Sequence, residues 1–553
     1  MKELLHRLLA RPALLAELLV SSLLINVLGL ASTAFVMLVL GRYVPYGVDA
    51  TLVTLTVGVV LAGLMEFGFR EARRRLAADA VTAQEAGRAG AAFAALMGIR
   101  AGMLDRIPLA GRLDIMRGID TVERSFSAAN LTALLDVPFA LVTLLVLFAL
   151  SPVLGLVSLV CMGLSVAVTL AGEHATRRRL QGAQAAEMAA QALTSGTAAA
   201  ADTVRAFNAA GWLRFRWEAA RREAAVSREA IAAGQGIVGS ATQLLTGLQG
   251  TAIIAIGAML CVKGDLNTAQ LIGANILAGR ALGPLNRLVQ LVEPLAKAAL
   301  AIRKLEEFVR LPREQASGSA LRDYAGRLEL ADLAFAYPGA VTPLAEHLSL
   351  TLAPGSIVLV AGPNGSGKTT FARLLVGLAE PLRGQVLADG VDLRQMSMEW
   401  WRRQICYLPQ EPEFFEASVA ENLLLANPAL DSDGLNAVVA AAGLRAWLDG
   451  TAKGLDTPIL EGGKQLPPGV RRRLGLARAL ATGGRLCVFD DPTEGLDAEG
   501  RATVYATLSQ LAKEGRTLVI CGNDPGIAQA AQGMIDLGSK PVPRIVMAEA
   551  AHA

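Results

Sequence analysis

Six apolar segments, each about as long as a helix that spans a bilayer, occupy the first half of the chain. They lie near residues 18–40, 51–69, 130–150, 153–172, 237–261 and 268–291. Composition agrees with a membrane protein that also has a soluble part: 53% of the 553 residues are hydrophobic and only 18% are charged. The second segment ends in Arg70, Arg73, Arg74 and Arg75, and the fourth is followed by Arg177, Arg178 and Arg179. The connections 41–50, 151–152 and 262–267 are short and nearly uncharged. Basic residues on alternate sides place both termini in the cytoplasm. The apolar run after Leu14 continues past any cleavage position, so no cleavable signal peptide is expected. Residues 1–11 read equally well as a short amphipathic helix and as a solvated tail.

The stretches 76–129 and 173–236 are long, Ala-rich and dotted with Arg, Glu and Gln. They read as helices that continue from the membrane into the cytosol, long enough to contact a soluble domain. Residues 312–326 read as a linker. Beyond it, short β-rich runs alternate with helices, the pattern of an α/β domain. The expected organisation is therefore a helical membrane domain over 1–311, the linker, and an α/β domain over 327–553. Asn26, Glu66, Asp136, Asn275, Arg280 and Asn286 fall within the apolar spans. Such groups are functional candidates, but bonding between helices is the favoured reading here. The five cysteines are scattered without metal-ligand spacing, and they read as reduced. A net charge of +3 gives no reason to expect a nucleic-acid partner.

The most specific motif is "SIVLVAGPNGSGKTTFARLLVGL". A β-rich run, Ile357–Val360, leads into a Gly-rich loop, and a helix starts near Lys368. Gly362, Gly365 and Gly367 let the backbone curl around phosphates. Lys368 neutralises their charge, and the Thr369 hydroxyl can ligate Mg²⁺. About 120 residues on, "RLCVFDDPTEGLD" places Asp490 at the end of a buried-strand run, where a carboxylate can hold the Mg²⁺ shell. Gln410 follows another short strand, and Tyr337 lies upstream in "LAFAYPGA".

Together these residues resemble the nucleotide-binding domain of ATP-binding cassette transporters, over about residues 327–540. The resemblance implies ATP and Mg²⁺ as cofactors, and two such domains that sandwich two nucleotides. It assigns the nucleotide to Tyr337, Gly362, Asn364, Gly365, Ser366, Gly367, Lys368, Thr369 and Thr370, with Tyr337 stacking on adenine. It assigns the metal to Thr369, Gln410 and Asp490, and a D-loop role to Asp497. The membrane half, in "LLINVLGLASTAFVMLVLGRYVP", "LTALLDVPFALV" and "NILAGRALGPL", resembles exporters of type I secretion systems. That implies location in a bacterial inner membrane, a secreted polypeptide substrate, and a membrane-fusion protein and an outer-membrane channel as partners.

Three departures from the family pattern follow. The signature motif that caps the nucleotide of the other subunit, LSGGQ, reads Leu466-Pro467-Pro468-Gly469-Val470. It has lost the serine hydroxyl, one glycine N–H and the glutamine, while the helix after it is preserved. Proline is well placed in a first helical turn but has no N–H to offer an anion. The general-base glutamate is replaced by Asp491, whose carboxylate is retracted by roughly 1 Å, a displacement that can cost on the order of 100-fold in rate. The switch histidine is replaced by Asn523, which can donate a hydrogen bond but cannot take up a proton or carry a positive charge. An intact phosphate loop beside three altered catalytic motifs implies a site kept for binding and relaxed for hydrolysis. The expected function is the weakly hydrolytic half of a heteromeric polypeptide exporter, paired with a sister subunit. The alternatives are a homodimeric exporter of a small molecule or lipid with slow hydrolysis, and an ATP-sensing scaffold.

Overall fold

The computed structural model describes residues 12–547 except 316, 322, 338–339 and 341, so the segment 1–11 lies outside the described residues. The chain divides into two compact units. One combines the chain before Gly98 with Ile107–Leu311; the other combines Gly98–Arg106 with the chain from Pro312 onward.

The first unit is helical. Its main elements are α1 (Pro12–Leu38), α2 (Asp49–Gly98), α3 (Leu109–Ser125), α4 (Ala140–Leu150), α5 (Pro152–Ala199), α6 (Ala210–Lys263) and α7 (Thr268–Val309). α2, α5 and α6 have 50, 48 and 54 residues. At 1.5 Å per residue each is roughly 70–80 Å long, more than twice the hydrocarbon thickness. Among the described residues five segments are long and apolar enough to cross a membrane: Pro12–Tyr46, Asp49–Asp79, Ala128–Leu150, Pro152–Thr176 and Ala210–Lys263. The sixth expected span, 268–291, folds as part of α7. It is not among the five, because Gln270, Asn275, Arg280, Asn286 and Arg287 dilute its apolar character. On α2, Val57, Leu61, Leu64 and Phe67 are more than half exposed, a surface that suits lipid rather than water.

Polar groups within this unit are engaged between helices. The buried Arg73 guanidinium of α2 pairs with the Asp136 carboxylate and donates to Ser22 Oγ of α1 at 3.0 Å. Arg287 of α7 lies 3.8 Å from the same carboxylate. Arg280 of α7 donates to the Gly29 carbonyl and, at 2.8 Å, to Ser32 Oγ, both on α1. A Cβ at Gly29 would lie 2.7 Å from the Arg280 Nη1, so a larger residue there would displace the guanidinium. Asn286 donates to Thr246 Oγ1 at 3.2 Å. Glu66 and Asn26 bond within their own helices, to Arg70 and to the Ser22 carbonyl.

The second unit holds two sheets. Four strands, β1 (Leu328–Phe335), β2 (Ala345–Leu352), β4 (Arg383–Ala388) and β5 (Val391–Asp392), form an antiparallel sheet ordered β2-β1-β4-β5. The other six are β3 (Ile357–Ala361), β6 (Ile405–Leu408), β7 (Leu486–Asp490), β8 (Thr517–Cys521), β9 (Gly533–Asp536) and β10 (Arg544–Met547). Their order is β10-β9-β3-β8-β7-β6, parallel except for β10. β7 and β8 are buried at every position, which explains their unbroken apolar runs: a parallel sheet covered on both faces has no polar side. α8 (Lys368–Leu375) follows β3; α9 (Pro468–Ala481) precedes β7; α10 (Ala498–Lys513) follows it. In a helical insert over 419–481, Val419, Leu423, Val439, Leu444 and Leu474 are fully buried, in a core shared with β3, β6, β7 and β8.

Gly98–Arg106, within the long stretch expected to reach a soluble domain, packs in this second unit. The Glu314 N–H donates to the Gly98 carbonyl at 2.7 Å. Arg373, in α8, pairs with Asp105 at 2.6 Å, and Arg100 pairs with Glu380 at 2.6 Å.

Candidate functional site

Strand register brings the candidate residues together. Val360 of β3 and Asp490 of β7 both lie level with Cys521 of β8, which runs between them. The loops leaving the carboxyl ends of these three strands hold the Gly-rich loop, Asp491 and Asn523, and Gln410 follows the neighbouring β6. This is where open α/β sheets form their ligand crevice. A cleft of about 380 Å³ opens there, lined among others by Tyr337, Asn364, Gly365, Gly367, Lys368, Thr369, Thr370, Gln410, Asp491 and Asn523.

The loop itself is closely fitted. Gly362, Gly365 and Gly367 have φ of +150°, +80° and +107°, the left-handed region that favours glycine. A Cβ on Gly362 would meet Ser366 Oγ at 2.6 Å, and one on Gly367 would meet Leu344 at 3.0 Å. Lys368 is buried, and its Nζ donates to the Gly362 carbonyl at 2.8 Å. The Tyr337 hydroxyl donates to the Gly365 carbonyl at 3.0 Å, so the ring stands beside the loop with 43% of its surface exposed. Ser366 is buried with its Oγ unpartnered.

Asp490 has no exposed surface, and neither carboxylate oxygen has a partner. Burial pushes its pKa up to about 6; Asp491 adds to the rise, while Thr369, Arg472 and Lys368 oppose it. Asp491 is half-buried, its φ is +47°, and its N–H donates to the Cys521 carbonyl at 2.9 Å. Burial raises its pKa as well. Gly522 leaves room for it, since a Cβ there would lie 2.9 Å from the Asp491 Oδ1. Asn523 grips the phosphate loop from the other side: its Oδ1 accepts from Gly362 N at 3.1 Å and its Nδ2 donates to the Gly362 carbonyl at 2.9 Å. Gln410 bridges the cleft, with Oε1 accepting from Thr369 Oγ1 at 3.3 Å and Nε2 donating to Glu494 Oε2 at 3.3 Å.

The signature stretch lies outside this cleft. Pro467 and Pro468 are exposed at the start of α9, whereas Leu466 and Val470 are buried in the core of the helical insert. The first intrahelical bond runs from Arg471 N to the Pro467 carbonyl at 2.9 Å. Of the four N–H groups that a helix start normally leaves free, only those of Gly469 and Val470 exist here.

Arg472, Glu494 and Asp524 escaped the sequence reading. Arg472, whose type alone suggests a solvated position, is buried, and its guanidinium donates to the backbone carbonyls of Gln410 and Asp491 and, at 3.3 Å, to Glu494. Burial depresses its pKa. Glu494 lines the cleft three residues after Asp491. Its only sequence signal was an extra carboxylate beside a weakened one. Asp524 also lines the cleft, accepting from Thr493 Oγ1 at 2.7 Å and from the Tyr505 hydroxyl at 2.8 Å.

A helical unit of bilayer-spanning helices and a phosphate-loop α/β unit define an ATP-driven membrane transporter. The ABC transporter transmembrane region matches residues 15–285 and the ABC transporter domain matches 345–494; the chain belongs to the ABC transporters. It is thus a multi-pass, ATP-binding protein of the inner membrane. It is 26% identical over 521 residues to the alpha-hemolysin translocation ATP-binding protein HlyB of Escherichia coli O157:H7, covering 92% of this chain and 72% of that one. It is 25% identical to the exotoxin translocation ATP-binding protein PaxB of Pasteurella aerogenes, covering 94% and 73%. A bacterial Atm1-family ABC exporter with ATP bound shares the fold, with a TM-score of 0.86 and 18% identity over 97% of this chain and 96% of that one.

Proposed function

We propose that this chain is the ATP-binding, weakly hydrolytic subunit of an exporter that moves polypeptide across the inner membrane, paired with a catalytically complete sister. The relatives named for toxin translocation support the cargo class, and a membrane-fusion protein and an outer-membrane channel complete the assembly. α7 serves as the sixth span. Lys368, the loop N–H groups of Gly365 and Gly367, and Thr369 hold the phosphates, and Tyr337 packs against the base.

Magnesium fits the site. The candidate donors, Thr369 Oγ1, Gln410 Oε1 and the unpartnered Asp490 carboxylate, are all oxygen, as this hard cation requires. When bound, it would neutralise phosphate charge. Among the described residues no group of three or more His, Cys, Asp or Glu could hold an ion.

The observation that carries weak hydrolysis at this chain's own loop is the pair at the positions of base and switch: Asp491, at a φ of +47°, and Asn523, bonded through both amide atoms to Gly362. In the first turn of α9, two prolines remove N–H donors and Val470 is turned into the core. Sites of this family are composite. Lys368, Asp491 and Asn523 meet the sister's signature at one nucleotide; Pro467, Pro468 and Val470 meet the sister's phosphate loop at the other. The first site lacks base and switch, while the second lacks only a hydrogen-bond cap worth roughly 1–3 kcal/mol per bond. Turnover therefore runs mainly on the sister's loop, with ATP on Lys368 as a long-lived brace. In the complex purified from native membranes, replacing the sister's catalytic glutamate should abolish ATPase activity, whereas Asp491→Ala should leave most of it. Equal losses would reverse the assignment of roles.

One observation favours a second reading. Glu494 brings another carboxylate into the cleft, which would suit a slow homodimeric ATPase.

A further inference from the structure

Arg472 joins two parts of the second unit that the composite-site reading assigns to different nucleotides. Its Cα lies in the first turns of α9, the helix that faces the sister's nucleotide on that reading. Its guanidinium reaches back to this chain's own site and holds the carbonyls of Gln410 and Asp491. The side chain is about nine-tenths buried, so it has no room to slip relative to those carbonyls. Glu494 extends the link: it accepts from Arg472 Nη2 and from Gln410 Nε2, each at 3.3 Å. Gln410 in turn accepts from Thr369 on the phosphate loop. An unbroken path of hydrogen bonds therefore runs from Thr369 through Gln410, Glu494 and Arg472 to α9.

We infer that Arg472 and Glu494 are positioning residues that transmit occupancy of this chain's own phosphate loop to α9, and so to the nucleotide held by the sister. The inference rests on the composite-site reading above. Nucleotide binding engages the Thr369 hydroxyl, and Gln410 must then give up or redirect its bond to it. That movement pulls on Glu494 through the Gln410 amide, and Arg472 passes it to α9. Coupling of this kind needs a physical chain of contacts whose arrangement the ligand changes. Arg478 separately ties α9 to the same loop through the Glu413 carbonyl at 2.7 Å. Removing Glu494 therefore leaves α9 docked and severs only its link to the Gln410 side chain.

Hydrogen exchange tests this in the full-length chain in detergent. Amide exchange over Arg471–Ala481 is followed with and without MgATP, at nucleotide concentrations that calorimetry shows to saturate each variant. In wild type, ATP should slow exchange there several-fold. In Glu494→Ala the ATP response should fall by at least half at full occupancy, and Glu494→Gln, which keeps an acceptor, should restore most of it. Arg472→Lys, a bulk-preserving change, should also blunt the response. An undiminished response in Glu494→Ala would overturn the inference, as would a bound wild type whose α9 does not respond. Wild type that fails to bind ATP at all would sink the functional reading itself.

Discussion

Lys368 spends its charge on the Gly362 and Pro363 carbonyls, at 2.8 and 3.4 Å, and on the proposed reading it exchanges them for phosphate oxygens. Charge-assisted bonds of this kind are about twice as strong as neutral ones. Lys368→Ala should therefore weaken ATP binding at least 100-fold by titration calorimetry, and equal affinities would contradict the role. Asp490 makes a prediction with a sign. Its folded pKa of about 6 lies above the ordinary 3.8, so the folded chain binds the proton more tightly than the unfolded one. The contribution is full below pH 3.8 and is lost as pH rises through about 6, on the order of 2–3 kcal/mol. Without nucleotide, the difference in melting temperature between Asp490→Asn and wild type should grow in the variant's favour from pH 4 to pH 7. A difference independent of pH would place Asp490 in a solvated environment.

The helices of the first unit are held by polar contacts as well as by packing, and Arg73 with Asp136 is the most buried of these pairs. Breaking a buried pair leaves an uncompensated charge and typically costs 3–5 kcal/mol, whereas replacing both members by apolar residues is often neutral. Asp136→Ala should therefore lower the melting temperature in detergent sharply, and Asp136→Leu with Arg73→Met should recover most of the loss. A single variant that melts like wild type would assign the pair no structural role. Elements of this kind were largely legible beforehand. The apolar runs of α1, α2, α5 and α6 and the strand–loop–helix order at Gly362–Lys368 follow from local chemistry, which one sequence displays. Arg472 was not legible, because the helical period of "PPGVRRRLGLARAL" places three arginines together and only the packing of α9 against the Gln410 loop decides which is buried. Asn523 was legible as a position but not as a contact, since its two-point grip on Gly362 depends on the β3–β8 register. Hydropathy is a weak guide to α7 for a similar reason. The polar residues of α7 bond to α1 and α6, and a hydropathy pattern does not show partners.

At the scale of the whole chain, the proposed reading sets a phosphate loop kept for binding beside a short carboxylate, an asparagine bound to the loop backbone, and a helix start with two of its four N–H donors missing. A homodimer would repeat all of these defects at both of its nucleotide sites, so restoring Asp491→Glu alone should recover little. The most direct measurement is therefore MgATP turnover by the purified full-length chain without any partner, taken alongside calorimetric binding of ATP to the same sample. The expected result is clear binding with turnover far below about 1 s⁻¹, the lower end of ordinary enzyme rates. Steady hydrolysis at about 1–10 s⁻¹ by the lone chain would contradict a site kept for binding.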